Sequence, residues 1–395
     1  NNQKALMKAG AILPLVQLLK SGSANAQVHA ANSAAHLSLN NPDAQNQIAA
    51  AGAIPILVSL LNSGKAQMPA AGALSRLAAN NPPNQEMVAK AGGIAALLSL
   101  LNVTSIETQV KAAQAIKELA KDNAATQAEI AKAGGIGPLL ALLSSRSVHA
   151  QAESAGALAQ LARFNKANQD LIAEAGCIPP LISLLPGASG PEVQAQCALA
   201  IMECSRSNPA NQTLVADNAG VGPLTVLMKH KEGFVKAEAA GAVWVLADGH
   251  EANISSIASA QGIKPLVTLL GGGSPRAQVH AANALSCLAL NNTENQKQVT
   301  QLLVGMLGQP DKDAQMRASA ALWRMVDDNP ETTKTIAAAG DAAELVALLR
   351  EGSGAAKDYA LWSLSLSIDE ASTKTICTEG GIRPLVNLLS TATVR

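Results

Sequence analysis

The chain has 395 residues, with 29 Lys plus Arg balancing 29 Asp plus Glu, so its formal net charge is zero. That balance, with only 15% charged residues, excludes a global basic field that would attract nucleic acid or an anionic membrane, although a local patch stays open. Hydrophobic residues reach 48% while aromatics stop at 2%, so the apolar content is Ala, Leu, Ile and Val, which suits helices packed closely on helices.

In chain order, a phrase close to P-L-V-x-L-L recurs from end to end: PLVQLL, PILVSLL, AALLSLL, PLLALL, PLISLL, PLTVLM, PLVTLL, LLVGML, ELVALL and PLVNLL. The leucine in its second position falls at Leu15, Leu57, Leu97, Leu139, Leu181, Leu224, Leu266, Leu303, Leu345 and Leu385. Successive gaps are 42, 40, 42, 42, 43, 42, 37, 42 and 40 residues, the signature of an array in which each unit packs on its neighbours. The near-identical stretches AQVHAAN at Ala26–Asn32 and Ala277–Asn283 lie six periods apart, so they are a repeated framework and not two halves of one site.

Each repeat predicts three helical parts. A short first helix, such as NQEMVAKA at 84–91, NQDLIAEA at 168–175 or NQTLVADNA at 211–219, opens on a polar residue placed to cap it. It ends at Ala-Gly, where glycine admits a left-handed residue and a sharp turn. A second helix often carries proline in its first turn, where no N–H is needed. A polar loop such as KSGSAN or GGGSPR then leads into a longer, Ala-rich third helix.

This unit resembles the armadillo repeat. The GAIPxLVxLL-like phrase and the phrases AAGALSRLAA at 70–79 and AAGAVWVLA at 239–247 match it, over essentially the whole chain. HEAT repeats are the nearest rival, but they lack the Ala-Gly joint. The resemblance implies an all-α fold: a single right-handed α-solenoid of about nine to ten repeats of about 42 residues. The repeats fall at 1–41, 42–82, 83–124, 125–166, 167–209, 210–250, 251–292, 293–328 and 329–369, with an incomplete one at 370–395. It also implies a non-enzymatic scaffold or adaptor that takes extended protein segments along a concave groove of third helices.

Two irregularities stand out. The eighth repeat is five residues short, and NQKQVTQLLVGML at 295–307 has lost the Gly-Ile joint, so its first and second helices are expected to merge or tighten. The chain also begins inside the pattern at Asn1 and stops after the tenth phrase. The expectation is a fragment or processed form whose last repeat is continued or covered by a contact.

In the importin-α branch, a Trp followed by Asn on the third helix clamps and slots a basic peptide. The Asn position maps onto His36, Arg76, Glu118, Gln160, Glu203, Val245, Cys287, Arg324 and Ser363, and none is Asn. The Trp position is filled only by Trp244, Trp323 and Trp362. An import-receptor role is therefore disfavoured. The candidate partner-binding residues are His36, Arg76, Glu118, Gln160, Glu203, Trp244, Trp323, Arg324, Tyr359, Trp362 and Ser363. The three Trp and the only Tyr all follow residue 240, and either fill the core or anchor a partner. One turn further on, Lys121, Arg163 and Arg206 give way to Asp248 and Asp327, read either as solvated charges or as an orienting reversal.

Other signals stay in the background. Five cysteines without a C-x-x-C pair read as small buried residues of a reducing, cytoplasmic-type compartment. His29 and His36 share a helix but suggest no third ligand, and no cofactor, metal or nucleophile–base arrangement emerges. The longest apolar runs are about half of what a bilayer requires. A third role, as the recruiting region of a multidomain ubiquitin ligase, depends on flanking sequence.

Overall fold

The computed structural model describes residues 2–187, 189–290, 292–326, 342–366 and 370–391. Among these residues every regular element is helical and none is a strand. No described helix is long and apolar enough to cross a membrane. The chain divides into two compact halves, Asn1–Asn218 and Ala219–Arg395. The division falls inside the sixth repeat, between its first helix Pro209–Asp217 and its second helix Val221–Leu227. The sequence period runs through it unchanged, so both halves are built from the same unit.

The third repeat shows the plan: a first helix Pro82–Lys90, a second Gly93–Leu100 and a third Ile106–Ala120. Val88, Ile94, Leu97, Ile116 and Leu119, drawn from all three helices, are buried. Burying one such side chain contributes about 2 kcal/mol. A single repeat leaves its flanks open, and the next repeat closes them. In the N-terminal half the third helices pack one on the next: Ala24–Ser38, Gln67–Ala78, Ile106–Ala120, Val148–Ala162 and Pro191–Ser205. Alanines 112, 113 and 115 are fully buried between them, and their small side chains permit the close approach. In the C-terminal half Gly233–Ala247, Pro275–Ala289, Lys312–Val326 and Gly354–Leu366 follow each other in the same way.

The caps differ from the sequence reading. The first helices start earlier, and their caps are Asn81, Asn165 and Asn208, whose side chains accept from the N–H groups of Asn84, Asn168 and Asn211 at 3.1–3.4 Å. The expected caps Asn84, Asn168 and Asn211 instead sit in the first turn, fully enclosed. They donate to the carbonyls of Leu77, Leu161 and Cys204 at 2.8–2.9 Å, tying each first helix to the end of the third helix before it.

The Ala-Gly joint is left-handed where glycine is present, as at Gly52 (φ 83°) and Gly92 (φ 77°). In repeats six and seven the left-handed residue is Ala219 (φ 57°) or Gln261 (φ 58°), one place before the glycine. Gly262 is kept for another reason: a Cβ there would lie 2.7 Å from the Ile257 side chain and 3.0 Å from its carbonyl.

The short eighth repeat has the merged form: Thr293–Leu307 is one continuous helix, with no break where the joint would be. Its third helix Lys312–Val326 packs back on Ile263–Gly272, the second helix of repeat seven. Arg317 fixes that contact by donating to the carbonyls of Leu270 (2.8 Å) and Gly271 (2.6 Å). Of the five cysteines, Cys177, Cys197 and Cys204 are buried as expected, whereas Cys287 is half-buried and Cys377 is exposed. Those two stand nearer the repeat surface than the composition implied.

Candidate partner-binding surface

The last turn of each third helix in the N-terminal half is held by a glutamine from the first helix of the same repeat. Gln3 donates to the carbonyl of His36, Gln45 to Arg76, Gln85 to Glu118, Gln127 to Gln160 and Gln169 to Glu203, all at 2.7–2.9 Å. Each of these glutamines also donates to a second carbonyl three residues on, for example Gln85 to Lys121 at 3.1 Å. The glutamine oxygen in turn accepts from the Asn that caps the next first helix, as in Asn123 to Gln85 at 2.9 Å and Asn208 to Gln169 at 3.2 Å. A buried amide network therefore satisfies carbonyls that the helix end leaves open. It also fixes the backbone at the five positions picked as partner-binding candidates. The side chains there are unconstrained by that role and differ from repeat to repeat.

Their exposure varies. His36 is exposed, and Arg76, Glu118 and Gln160 are half-buried. The Gln160 side-chain oxygen is enclosed without a hydrogen-bond partner. Glu203 departs from the expectation: only 4% exposed, it accepts both Nε (3.1 Å) and a terminal nitrogen (3.3 Å) of Arg206. Buried charges persist when paired in this way. Its carboxylate is committed to Arg206, one turn on.

Two cations of the second row, Arg163 and Arg206, are also engaged. Arg163 lies 3.5 Å from Asp122, and outside that row Lys117 pairs with Glu153 on the adjacent third helix. Asp248 is exposed, and Asp327 lies outside the described residues. Sequence reasoning missed Phe164. It is 75% exposed, with the Arg163 and Arg206 guanidiniums 5.5 and 5.6 Å from its ring centre. It occupies a left-handed position (φ 52°) that Asn40, Asn80, Asp122 and Ser207 fill in other repeats. A bulky residue there is a backbone outlier. The visible signal was an aromatic immediately before the capping Asn.

In the C-terminal half the aromatics come together. Trp323 and Trp362, on neighbouring third helices, have ring centres 4.9 Å apart, and Tyr359 lies 5.9 Å from Trp362. Trp323 is 37% exposed, Trp362 is half-buried, and Tyr359 is 1% exposed. Arg324 is exposed and Ser363 is buried. Tyr359 and Ser363 are thus not surface positions. They face the packed side of Gly354–Leu366, and burial pushes the Tyr359 phenol well above its usual range. Trp244 is half-buried with its ring 5.8 Å from that of His280, whose Nδ1 meets the carbonyl of Ala237 at 2.8 Å.

A sequence profile of the armadillo/beta-catenin-like repeat matches residues 81–121, 123–163 and 165–201. All three matches open on a first-helix capping Asn of the N-terminal half. An engineered protein of known structure is 31% identical, covers 97% of this chain and 95% of its own, and superposes with a TM-score of 0.76. The chain belongs to the armadillo-repeat family. A designed armadillo repeat protein in complex with the peptide (KR)4 is 26% identical, spans 60% of this chain and 99% of its own, and has a TM-score of 0.54. Another engineered protein is 30% identical over 61% of this chain and 98% of its own, with a TM-score of 0.58. A search of curated protein sequences returns no match. The armadillo fold is generally a non-enzymatic protein-binding scaffold.

Proposed function

We propose that this armadillo protein is a non-enzymatic scaffold or adaptor that takes extended segments of partner proteins along its third helices, as one subunit of a larger complex. The observation that carries this reading is the Trp323–Trp362 pair. Two of only three tryptophans meet on adjacent third helices, and one of them stays 37% exposed. Large aromatics in such a place are the usual anchors of an interface. Recruitment of substrates for an attached ubiquitin-ligase domain would use the same surface.

The designed relative carrying (KR)4 supports segment binding as a property of the fold. It also suggests the nearest rival, an import-type receptor for basic cargo. The absence of Asn from the whole row led by His36 and Arg76 weighs against that rival. The test is affinity capture from a cell lysate with the wild-type chain and with Trp323→Ala, each checked by circular dichroism. The proposal expects proteins that the wild type retains and a well-folded Trp323→Ala variant loses. An unchanged retained set would refute it, and tight binding of a free Lys-rich peptide would favour the import reading.

A further inference from the structure

We infer that the C-terminal half carries a second binding site, for small molecules that bear two or more linked phosphates. The site is a cavity of about 790 Å3 to which repeats six, seven and eight all contribute. Lys229 follows the second helix of repeat six, and Lys236 stands in the first turn of its third helix, Gly233–Ala247. Lys264 opens the second helix of repeat seven, and Gln261 sits at the joint before it. Gln298 comes from the merged helix Thr293–Leu307, so the irregular eighth repeat completes the wall. Leu269 contributes apolar floor.

The charge pattern selects the ligand. No carboxylate is among the residues that line the cavity. Among the described residues, none of the three lysines is engaged in an ion pair. Carboxylate partners are found for other cations of the chain, as in Lys117–Glu153, Arg206–Glu203 and Arg276–Glu238, but not for these three. Three uncompensated ammonium groups around one concavity therefore form a local positive field. Ammonium groups and side-chain amides are all donors to phosphate oxygens, and lysine binds phosphate as a mobile point charge. The width of the cavity and the spread of its cations over three elements fit a chain of phosphates better than a single one.

Gln261 holds φ 58° at a joint where Gly10, Gly52, Gly92, Gly134 and Gly176 hold 77–83°. Ala219 holds the same conformation (φ 57°) at the repeat-six joint outside the cavity, so what Gln261 adds here is its amide donor and not its backbone. The third-helix surface shares none of these residues with its candidates, so the two proposals stand or fall separately.

Calorimetric titration of the full chain with inorganic tripolyphosphate at fixed ionic strength tests the site, with orthophosphate and sulfate as comparisons. The expected result is one bound tripolyphosphate per chain, held at least tenfold more tightly than either single anion. Lys236→Gln and Lys264→Gln should each weaken it about tenfold, the loss of one charge-assisted hydrogen bond. Gln261→Gly should weaken binding several-fold while raising the thermal midpoint of the unliganded protein, so instability cannot explain the loss. Lys90→Gln and Lys132→Gln, in the other half, should leave the affinity unchanged. No measurable binding to the wild type, unchanged affinity in Lys236→Gln and Lys264→Gln, or equal losses in the control variants would each overturn the proposal.

Discussion

Replacing Gln85 by alanine removes three hydrogen bonds at once. Its amide nitrogen donates to the carbonyls of Glu118 (2.8 Å) and Lys121 (3.1 Å), and its oxygen accepts from Asn123 (2.9 Å). The residue is only 1% exposed, so its partners do not simply return to bulk water. At about 1 kcal/mol net per bond the loss comes to about 3 kcal/mol. Water entering the space left by the side chain lowers this toward about 2 kcal/mol, and incomplete rehydration of the carbonyls raises it toward about 4 kcal/mol. A repeat array opens locally and is not a single two-state unit, so local opening is the observable to follow. Hydrogen–deuterium exchange read by mass spectrometry on the full chain should show amides of 106–134 exchanging about a hundredfold faster, at 1.36 kcal/mol per factor of ten. Amides of the C-terminal half should be unaffected. Gln160→Ala is the matched control, because the oxygen of Gln160 is enclosed without a partner and its removal breaks nothing. That variant should stay within about threefold of wild type, the span of about 0.5 kcal/mol expected away from such features. If Gln85→Ala also stayed within threefold, the amide network would not be what fixes the third-helix ends.

Two further predictions concern the framework and the thiols. Gly92→Ala should cost about 1 kcal/mol because only the left-handed backbone (φ 77°) resists it, with nothing within 4 Å of the new methyl. Gly93→Ala should cost about 2–3 kcal/mol, since its Cβ would lie 2.5 Å from a Val88 methyl and 2.8 Å from the Val88 carbonyl. Urea or thermal denaturation orders the two, and equal costs would contradict this account. For the cysteines, burial pushes Cys177 and Cys197 up to about 12, and Cys287 up to about 11. The thiolate is the reactive form, so native protein at pH 8 holds these three protonated. Iodoacetamide should modify exposed Cys377 first, and Cys287 should gain about tenfold in rate per pH unit toward pH 11. Rapid modification of Cys177 or Cys197 in folded protein would show that the second and third helices of repeat five open far more easily than their packing implies.

The period, the three-helix unit and the short eighth repeat were legible in the residues. Each is written locally: leucines every 42 or so positions, Ala-Gly joints, and five missing residues at 295–307 that leave no room for a turn. Even there the local signal had limits. Asn81 and Asn84 both precede a helical run, and only the folded backbone shows that Asn81 caps while Asn84 reaches the carbonyl of Leu77. Glycine likewise was not the only residue able to take the left-handed joint, since Ala219 and Gln261 do so in its place.

The site was less legible, and the reason is the architecture itself. An inner third helix touches its own second helix on one side and a neighbouring third helix on each flank, so it has no single apolar stripe. Helical spacing put Tyr359 and Trp362 on a common face, yet Tyr359 is sealed while Trp323, one repeat earlier, stands partly open. Glu203 looks like a free groove acid in the sequence and proves to be a buried partner of Arg206. Nothing in the sequence singled out Lys229 and Lys236, because their meeting with Lys264, Gln261 and Gln298 depends on three repeats packing together. The sequence by itself determined the repeat, its helices and where its rhythm breaks, because those depend on residues a few positions apart. Which side chains face solvent, pair or converge was decided only by tertiary structure, because in a stacked array every surface is completed by the neighbouring repeat.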